Sequence, residues 1–212
     1  MRTSPRSRRL PPPPGRDAEL PADGRARRSH HSRDAIVTAL FELIGDGNLD
    51  PTAQQVAERA DVGLRSVFRH FSDMEALYVT MDTRLVASLM PMLDLAPSGG
   101  SMSERGAAMV DHRAAIFERV MPFKRAANVK RARSPFLADR HRMLVLELRA
   151  RLLRWLPELR DAPPELVDAL DQVSSFEAWD RLRSDQRLGP KRARAAMACA
   201  VAALVGSLGP RP

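Results

Sequence analysis

Hydrophobic residues along this chain recur at the three- and four-residue spacing that places them on one face of an α-helix. The first such stretch ends at Gly45 and contains Ile36, Val37, Leu40, Phe41, Leu43 and Ile44. No later stretch shows the alternation of apolar and polar residues that marks a β-strand. Proline or glycine separates the stretches at 91–100, around Pro122, and at 134–135, 157–164 and 189–190. The pattern predicts an all-α fold with five or six long helices behind a region of short ones.

The first 30 residues depart from this pattern. They contain Pro11 to Pro14 in succession and eight arginines, with almost no large apolar side chain. Burial cannot offset the entropy of ordering such a segment, so residues 1–30 are predicted to form a disordered basic tail. An arginine-rich arm of this kind can enter the minor groove of DNA, or it can remain a solvated extension.

Residues 50–71 place two short helical patterns and a tight turn within about twenty residues, which is the arrangement of a helix-turn-helix. Thr52 and Gln55 have the spacing of a capping box at the start of the first helix. In the second helix, Val67 and Phe71 are one turn apart and are expected to face the protein core. The polar side chains left outside are Arg65, Ser66, Arg69 and His70. An arginine fork can bond guanine, and serine or protonated histidine can bond phosphate, so this face suits duplex DNA.

Charge and composition narrow the function classes. The chain has 212 residues, a net charge of +8 and a pI near 10.9, which favours nucleic acid over a membrane surface as the partner. We expect a cytoplasmic protein, associated with the nucleoid when bound to DNA, because no apolar run reaches the roughly 18 residues of a membrane span. The single cysteine, Cys199, is expected to be a small buried residue. Phosphate-loop, Cys–His and paired-carboxylate motifs are not evident, so we expect no enzyme, no cofactor and no metal site.

The segment that follows the second helix carries a more specific pattern, Phe71-Ser72-Asp73-Met74-Glu75-Ala76-Leu77. With the helix-turn-helix before it, this stretch resembles the signature of the TetR family of transcriptional regulators, and the match covers about residues 33–77. A weaker likeness to actinobacterial members lies at 175–182. The resemblance implies a three-helix, DNA-binding unit at 31–76 joined to a larger helical domain at 77–212 that dimerises and holds a small effector.

By motif position, the resemblance places six residues against DNA: Thr52, Arg65, Ser66, Phe68, Arg69 and His70. Two positions depart from the family pattern. Phe68 replaces a tyrosine whose hydroxyl reaches a phosphate, and Met74 replaces a common lysine. DNA binding is therefore expected to rely more on arginines. Gly63 replaces the usual serine cap, which costs only a few tenths of a kcal/mol.

The helices after the motif offer candidates for a ligand pocket. A helix from Met74 to about Leu93 is expected to join the two parts of the chain. Methionine and aromatic side chains line adaptable apolar sites, although ordinary core packing is the alternative for each of them. The candidates are His112, Phe117, Met121, His141, Met143 and Trp155. A basic run can attract an anionic effector or form an exposed helix face, and we expect the exposed face for Lys124, Arg125, Lys130, Arg131 and Arg133.

The last two helices carry apolar and small-residue stripes suited to self-association. In the family that the chain resembles, these helices form a four-helix bundle with their twofold mates, whereas an intrachain core would use the same stripes. The candidate interface residues are Leu166, Leu170, Val173, Phe176, Trp179, Ala198, Val201 and Val205.

The sequence therefore predicts a homodimeric, sequence-specific DNA-binding regulator. Two recognition helices would enter successive major grooves of a roughly palindromic operator, about 34–36 Å apart. A small-molecule effector would release the repressor from its operator. The alternatives are a sequence-neutral architectural DNA-binding protein, which the basic tail would also serve, and a helical enzyme.

Overall fold

The computed structural model describes residues 22–93, 95 and 99–208, without the side chains of 22–26 and 28. In this part of the chain the regular structure is helical throughout, which confirms the all-α prediction. The α-helices are α1 Ala22–Gly45, α2 Ala53–Arg59, α3 Leu64–His70, α4 Met74–Leu93, α5 Met102–Lys130, α6 Pro135–Trp155, α7 Pro164–Val173, α8 Phe176–Asp180 and α9 Pro190–Gly206. Among the described residues, no helix is both long enough and apolar enough to cross a membrane.

Polar side chains fix where several of these helices begin. The predicted capping box at α2 is present, since Thr52 Oγ1 accepts from the Gln55 backbone N–H at 3.2 Å and Gln55 Oε1 accepts from the Thr52 N–H at 2.9 Å. Ser101 and Glu104 form a second capping box at α5. Gly63 precedes α3 without a side-chain cap, as its lack of a side chain dictates. These local bonds define the helix boundaries independently of the core.

Two hydrophobic cores organise the molecule. The first packs α1, α2 and α3 together, and the second packs α5 to α9 together. α4 and α5 contribute to both, because Leu77 and Ala126 lie in the first core while Leu89 and Val110 lie in the second. The domain boundary predicted after residue 76 therefore falls inside α4, which passes from one core to the other as a continuous helix.

A buried arginine joins three helices of the second core. Arg113 on α5 is 3% exposed. Its guanidinium donates to Ser174 O at 2.7 Å, to Ser174 Oγ at 2.8 Å and to Leu148 O at 2.7 Å. Burial lowers the pKa of Arg113 to about 10, so the group is still charged at neutral pH. The charge is held by these three acceptors, which link α5 to α6 and to the end of α7.

Two sequence predictions about the helices were wrong. Residues 22–30 are helical, whereas we expected them to belong to the disordered tail; residues 1–21 lie outside the described residues. Alanine and arginine are good helix formers, and a helix already anchored by packing extends at the cost of one residue at a time. Pro122 does not end a helix but lies inside α5. Burial of Val120 and Ala126 on either side of it offsets the roughly 3 kcal/mol cost of an internal proline.

Two glycines give stability predictions of opposite sign, Gly106 where α5 packs on α9 and Gly47 in the turn after α1. A Cβ added at Gly106 would meet Val201 Cγ1 at 3.5 Å and Val205 Cγ2 at 3.7 Å, which are ordinary contacts. Gly106→Ala should therefore raise the free energy of unfolding by roughly 0.5–1 kcal/mol, because glycine weakens a helix interior. Gly47→Ala should lower it by roughly 1–2 kcal/mol, since Gly47 has φ +96°. Urea unfolding measures both, and a destabilised Gly106→Ala would contradict the packing described.

Candidate nucleic-acid interface and ligand cavity

The helix-turn-helix is held by the first core. Val56, Val67 and Phe71 are buried against α1, so one face of α2 and of α3 is fixed. The turn between them passes through Asp61, whose φ of 52° is a left-handed conformation that aspartate tolerates better than most residues. The Val62 backbone N–H then donates to Ala57 O at 3.0 Å. α3 is thereby presented with its opposite face to solvent.

The exposed face of α3 combines positive charge with apolar surface. Arg65 and Arg69 are exposed, and Arg69 Nη2 donates to Ser66 Oγ at 3.3 Å. Phe68 is 49% exposed and Leu64, one turn earlier, is 39% exposed. Five of the six predicted DNA-contacting residues thus lie on this one helix, with Thr52 exposed at the start of α2. Sequence reasoning omitted Leu64, although its spacing of four from Phe68 indicated the shared face.

His70 differs from the expectation of a protonated, outward histidine. Its side chain is half-buried and its Nε2 is buried without a hydrogen-bond partner among the described residues. Burial, followed by the charges of Arg69 and Arg33, lowers the pKa of His70. Burial thus disfavours the protonated ring in the protein without DNA, and the contact of His70 with a phosphate stays a prediction. Arg33 of α1 lies nearby, with its guanidinium 4.7 Å from the centre of the Phe71 ring.

A cavity of about 120 Å³ lies between α4, α5 and α6, with Phe176 of α8 in its wall. Four of the six predicted pocket residues line it: His112, Phe117, His141 and Trp155. That they bind a ligand stays a prediction. The other two do not line the cavity. Met121 packs on the second core and its Sδ accepts from Arg125 Nη2 at 3.2 Å, while Met143 is 53% exposed on the outside of α6. Methionine content alone does not distinguish these environments.

The cavity is apolar along most of its wall but carries an excess of positive charge. Its described lining includes two carboxylates, Asp82 and Glu147, and five cations: Arg113, Lys124, Arg131, Arg140 and Arg151. Both carboxylates lie near Arg140, at 2.8 Å for Asp82 and 3.7 Å for Glu147. The expectation that the basic run forms an exposed face was therefore wrong for Lys124 and Arg131. Arg125 and Lys130 form ion pairs with Asp180 and Asp50, and Arg133 is exposed.

Tyr78 belongs both to the cavity wall and to the first core. It is 2% exposed, and its hydroxyl has no hydrogen-bond partner within the part of the chain that the structure describes. Lys130 Nζ lies 5.3 Å from the centre of its ring and forms an ion pair with Asp50, just before α2. Met81, like Tyr78, both lines the cavity and packs in the first core. The cavity and the helix-turn-helix are therefore in contact through common side chains.

The predicted dimer-interface residues divide into two groups. Five are buried in the second core of the same chain, so the prediction that they face a second copy was wrong for Leu170, Phe176, Trp179, Val201 and Val205. Three are only half-buried: Leu166, Val173 and Ala198. The outer face of α9 exposes small residues, Ala195, Cys199, Ala202 and Gly206. Cys199 is thus exposed, in contrast to the sequence expectation.

Comparison with known proteins gives two similarities. The chain is 29% identical over 76 residues to the HTH-type transcriptional regulator TcmR of Streptomyces glaucescens, covering 35% of this chain and 34% of that protein. The aligned part therefore spans about a third of that curated relative. The fold is similar to that of a transcriptional regulator from Rhodococcus sp. Rha1, with a TM-score of 0.66, 22% identity and coverage of 85% of this chain and 100% of that one. No protein-family model matches.

The described chain is all-helical, contains a helix-turn-helix and exposes a basic face on α3, and both similar proteins are named as transcriptional regulators. The resemblance to the TetR family, predicted from the residues after α3, is confirmed.

The half-buried histidine of the cavity, His141, gives a prediction about pH. Burial, followed by the charges of Lys124 and Arg131, lowers the pKa of His141 below its ordinary 6.5. Below pH 6.5 the unfolded chain therefore takes up a proton that the folded chain resists, so the free energy of unfolding falls as pH falls through this range. In urea unfolding between about pH 7.5 and 5.5, His141→Gln should lose less stability than the wild type.

The control for this comparison is His31→Gln, which removes an exposed imidazole from α1. It should keep the pH dependence of the wild type. An identical pH dependence in His141→Gln and the wild type would show that the folded chain does not resist protonation at this site.

Proposed function

We propose that this protein is a homodimeric, sequence-specific transcriptional repressor that leaves its operator when a small effector occupies the cavity. The observation that carries the proposal is the outer face of α3, where two arginines without acidic partners among the described residues flank a half-exposed phenylalanine. By comparison, several arginines elsewhere in the described chain form ion pairs, among them Arg59, Arg125 and Arg140. Cations that remain available on a rigid helix suit an anionic partner.

In this proposal, α3 enters the major groove. Arg65 and Arg69 each have the fork geometry that bonds O6 and N7 of guanine, and Phe68 suits an apolar contact with a thymine methyl. Arg33 lies beside the end of α3, and in this proposal it would contact a phosphate. Phe68 thus replaces the hydroxyl contact common in the family with an apolar contact that depends on the base.

Dimerisation would use the side chains of α7 and α9 that are not buried in the second core. The half-buried Leu166 and Val173 of α7 and Ala198 of α9 remain candidates, together with the small exposed residues of α9. Small side chains allow two helices to approach closely across a twofold axis, and a twofold dimer places its two α3 helices on a palindrome.

Effector release would act through the shared helices. A ligand in the cavity touches Tyr78 and Met81, which also pack in the first core, so α4 can change the position of the helix-turn-helix. A ligand that binds more tightly to the conformation with the wrong spacing of α3 helices lowers operator affinity, with a coupling of about 1–3 kcal/mol in typical cases.

Selection of bound sequences from a random duplex library tests DNA readout. The wild type should enrich a roughly palindromic site. Arg65→Ala and Arg69→Ala should each relax preference at defined base pairs, at a cost of roughly 1–3 kcal/mol per half-site, because each removes a bidentate contact with guanine. Arg194→Ala is the matched control, since Arg194 is an exposed arginine of α9 that pairs with Asp111.

Two outcomes would contradict the proposal. Uniform, strongly salt-dependent binding to all sequences would favour a sequence-neutral architectural protein. An enriched site unchanged in both α3 variants would place the reading residues elsewhere.

A further inference from the structure

Lys124 is a half-buried lysine whose ammonium group forms no ion pair with a carboxylate of the described residues. Its Nζ lies 3.2 Å from His141 Nδ1 and 5.5 Å from the centre of the Phe176 ring. No ion pair of the described residues includes it, whereas Lys130, two turns later on α5, pairs with Asp50. Taking a cation out of water without a counter-charge is costly, and burial indeed lowers the pKa of Lys124. An anion in the cavity would remove this cost.

The carboxylates of Glu177 and Asp82 act on Lys124 from a distance and oppose the fall of its pKa, but neither forms an ion pair with it. Asp82 is held by Arg140 at 2.8 Å. Glu177 lies beyond His141, 4.0 Å from its Nδ1, and remains 46% exposed. Arg131 and Arg140 add positive charge. An ammonium has three donors, and one of these meets His141, so donors remain for a ligand.

The apolar wall next to Lys124 indicates which apolar group the ligand would carry. The rings of Phe117 and Phe176 meet edge to face with centres 5.7 Å apart, and Trp155 lies farther along the cavity. The volume of about 120 Å³ is of the order of the ~150 Å³ engineered cavity that holds benzene in another protein. A compact ring can be accommodated here, with an edge towards aromatic side chains.

We propose that the effector is a compact aromatic monoanion, of the carboxylate class, whose ring packs on Phe117 and Phe176 and whose carboxylate binds Lys124 beside His141. This proposal rests on the proposed effector function of the cavity and assigns its ligand chemistry. With Lys124 donating to Nδ1, His141 keeps its proton on Nε2 and contributes a further donor to the polar end of the cavity.

The test compares probes of matched shape and different charge on the full chain by calorimetry, without DNA. The probes are benzoate with benzamide and benzylamine, and phenylacetate with phenylacetamide. At least one carboxylate should bind about tenfold or more tightly than its amide, and benzylamine should bind weakest, because a charged acceptor strengthens the bond to the ammonium. Equal affinity for carboxylate and amide, or no detectable binding of either carboxylate at about 1 mM, would overturn the proposal.

Variants then locate the anion site. Lys124→Met should abolish the preference for carboxylate over amide, while Lys191→Met, at an exposed lysine of α9, should keep it. Glu177→Gln should tighten benzoate binding by about two- to fivefold, since it removes the nearest competing carboxylate. A carboxylate preference that survives Lys124→Met would overturn the assignment. The wild-type comparison remains decisive even if Lys124→Met fails to fold.

The DNA experiment distinguishes this proposal from the proposed function. A carboxylate that binds through Lys124 without changing operator affinity would keep the ligand assignment and contradict effector release. Operator release by amides or amines, with no preference for carboxylates, would keep effector release and contradict the ligand assignment.

Discussion

The continuity of α4 and α5 through both hydrophobic cores is the constraint on which the rest of the structure depends. Because Leu77 and Ala126 lie in the first core while Leu89 and Val110 lie in the second, neither core can shift without moving a helix of the other. Protein interiors are close-packed, so a small displacement is transmitted rather than absorbed. In the proposed function, a ligand between α4 and α5 would therefore act on the unit that presents α3.

The parts of the structure that sequence predicted correctly are those set by local chemistry. The capping box at Thr52 and the bounds of α4 follow from residues near one another in the chain. The face of α3 follows from the spacing of Val67 and Phe71, which also identifies Arg65 and Arg69 as outward. Local rules of this kind do not depend on which helix packs against which.

The errors arose where tertiary packing decides. An apolar stripe looks the same whether it faces its own chain or a second copy, so Trp179 and Val201 were expected at an interface and lie in the core instead. A basic run gives no sign of which residues face inwards, and Lys124 was expected outside. Pro122 ends an isolated helix but not one that is packed on both sides. In each case the missing information is the position of a neighbouring helix.

Polar groups without hydrogen-bond or ion-pair partners in the described chain mark places where the free energy of unfolding is lowered. The hydroxyl of Tyr78 and the Nε2 of His70 are buried without partners in the described chain, and the half-buried Lys124 forms no ion pair with a carboxylate there. Unpaired buried groups cost free energy, and the first two lie at the junctions between the cavity, the first core and α3. A ligand that satisfies groups in the cavity would stabilise one arrangement of α4 and α5 over another. Differential satisfaction of this kind is what a ligand needs in order to shift a conformational equilibrium.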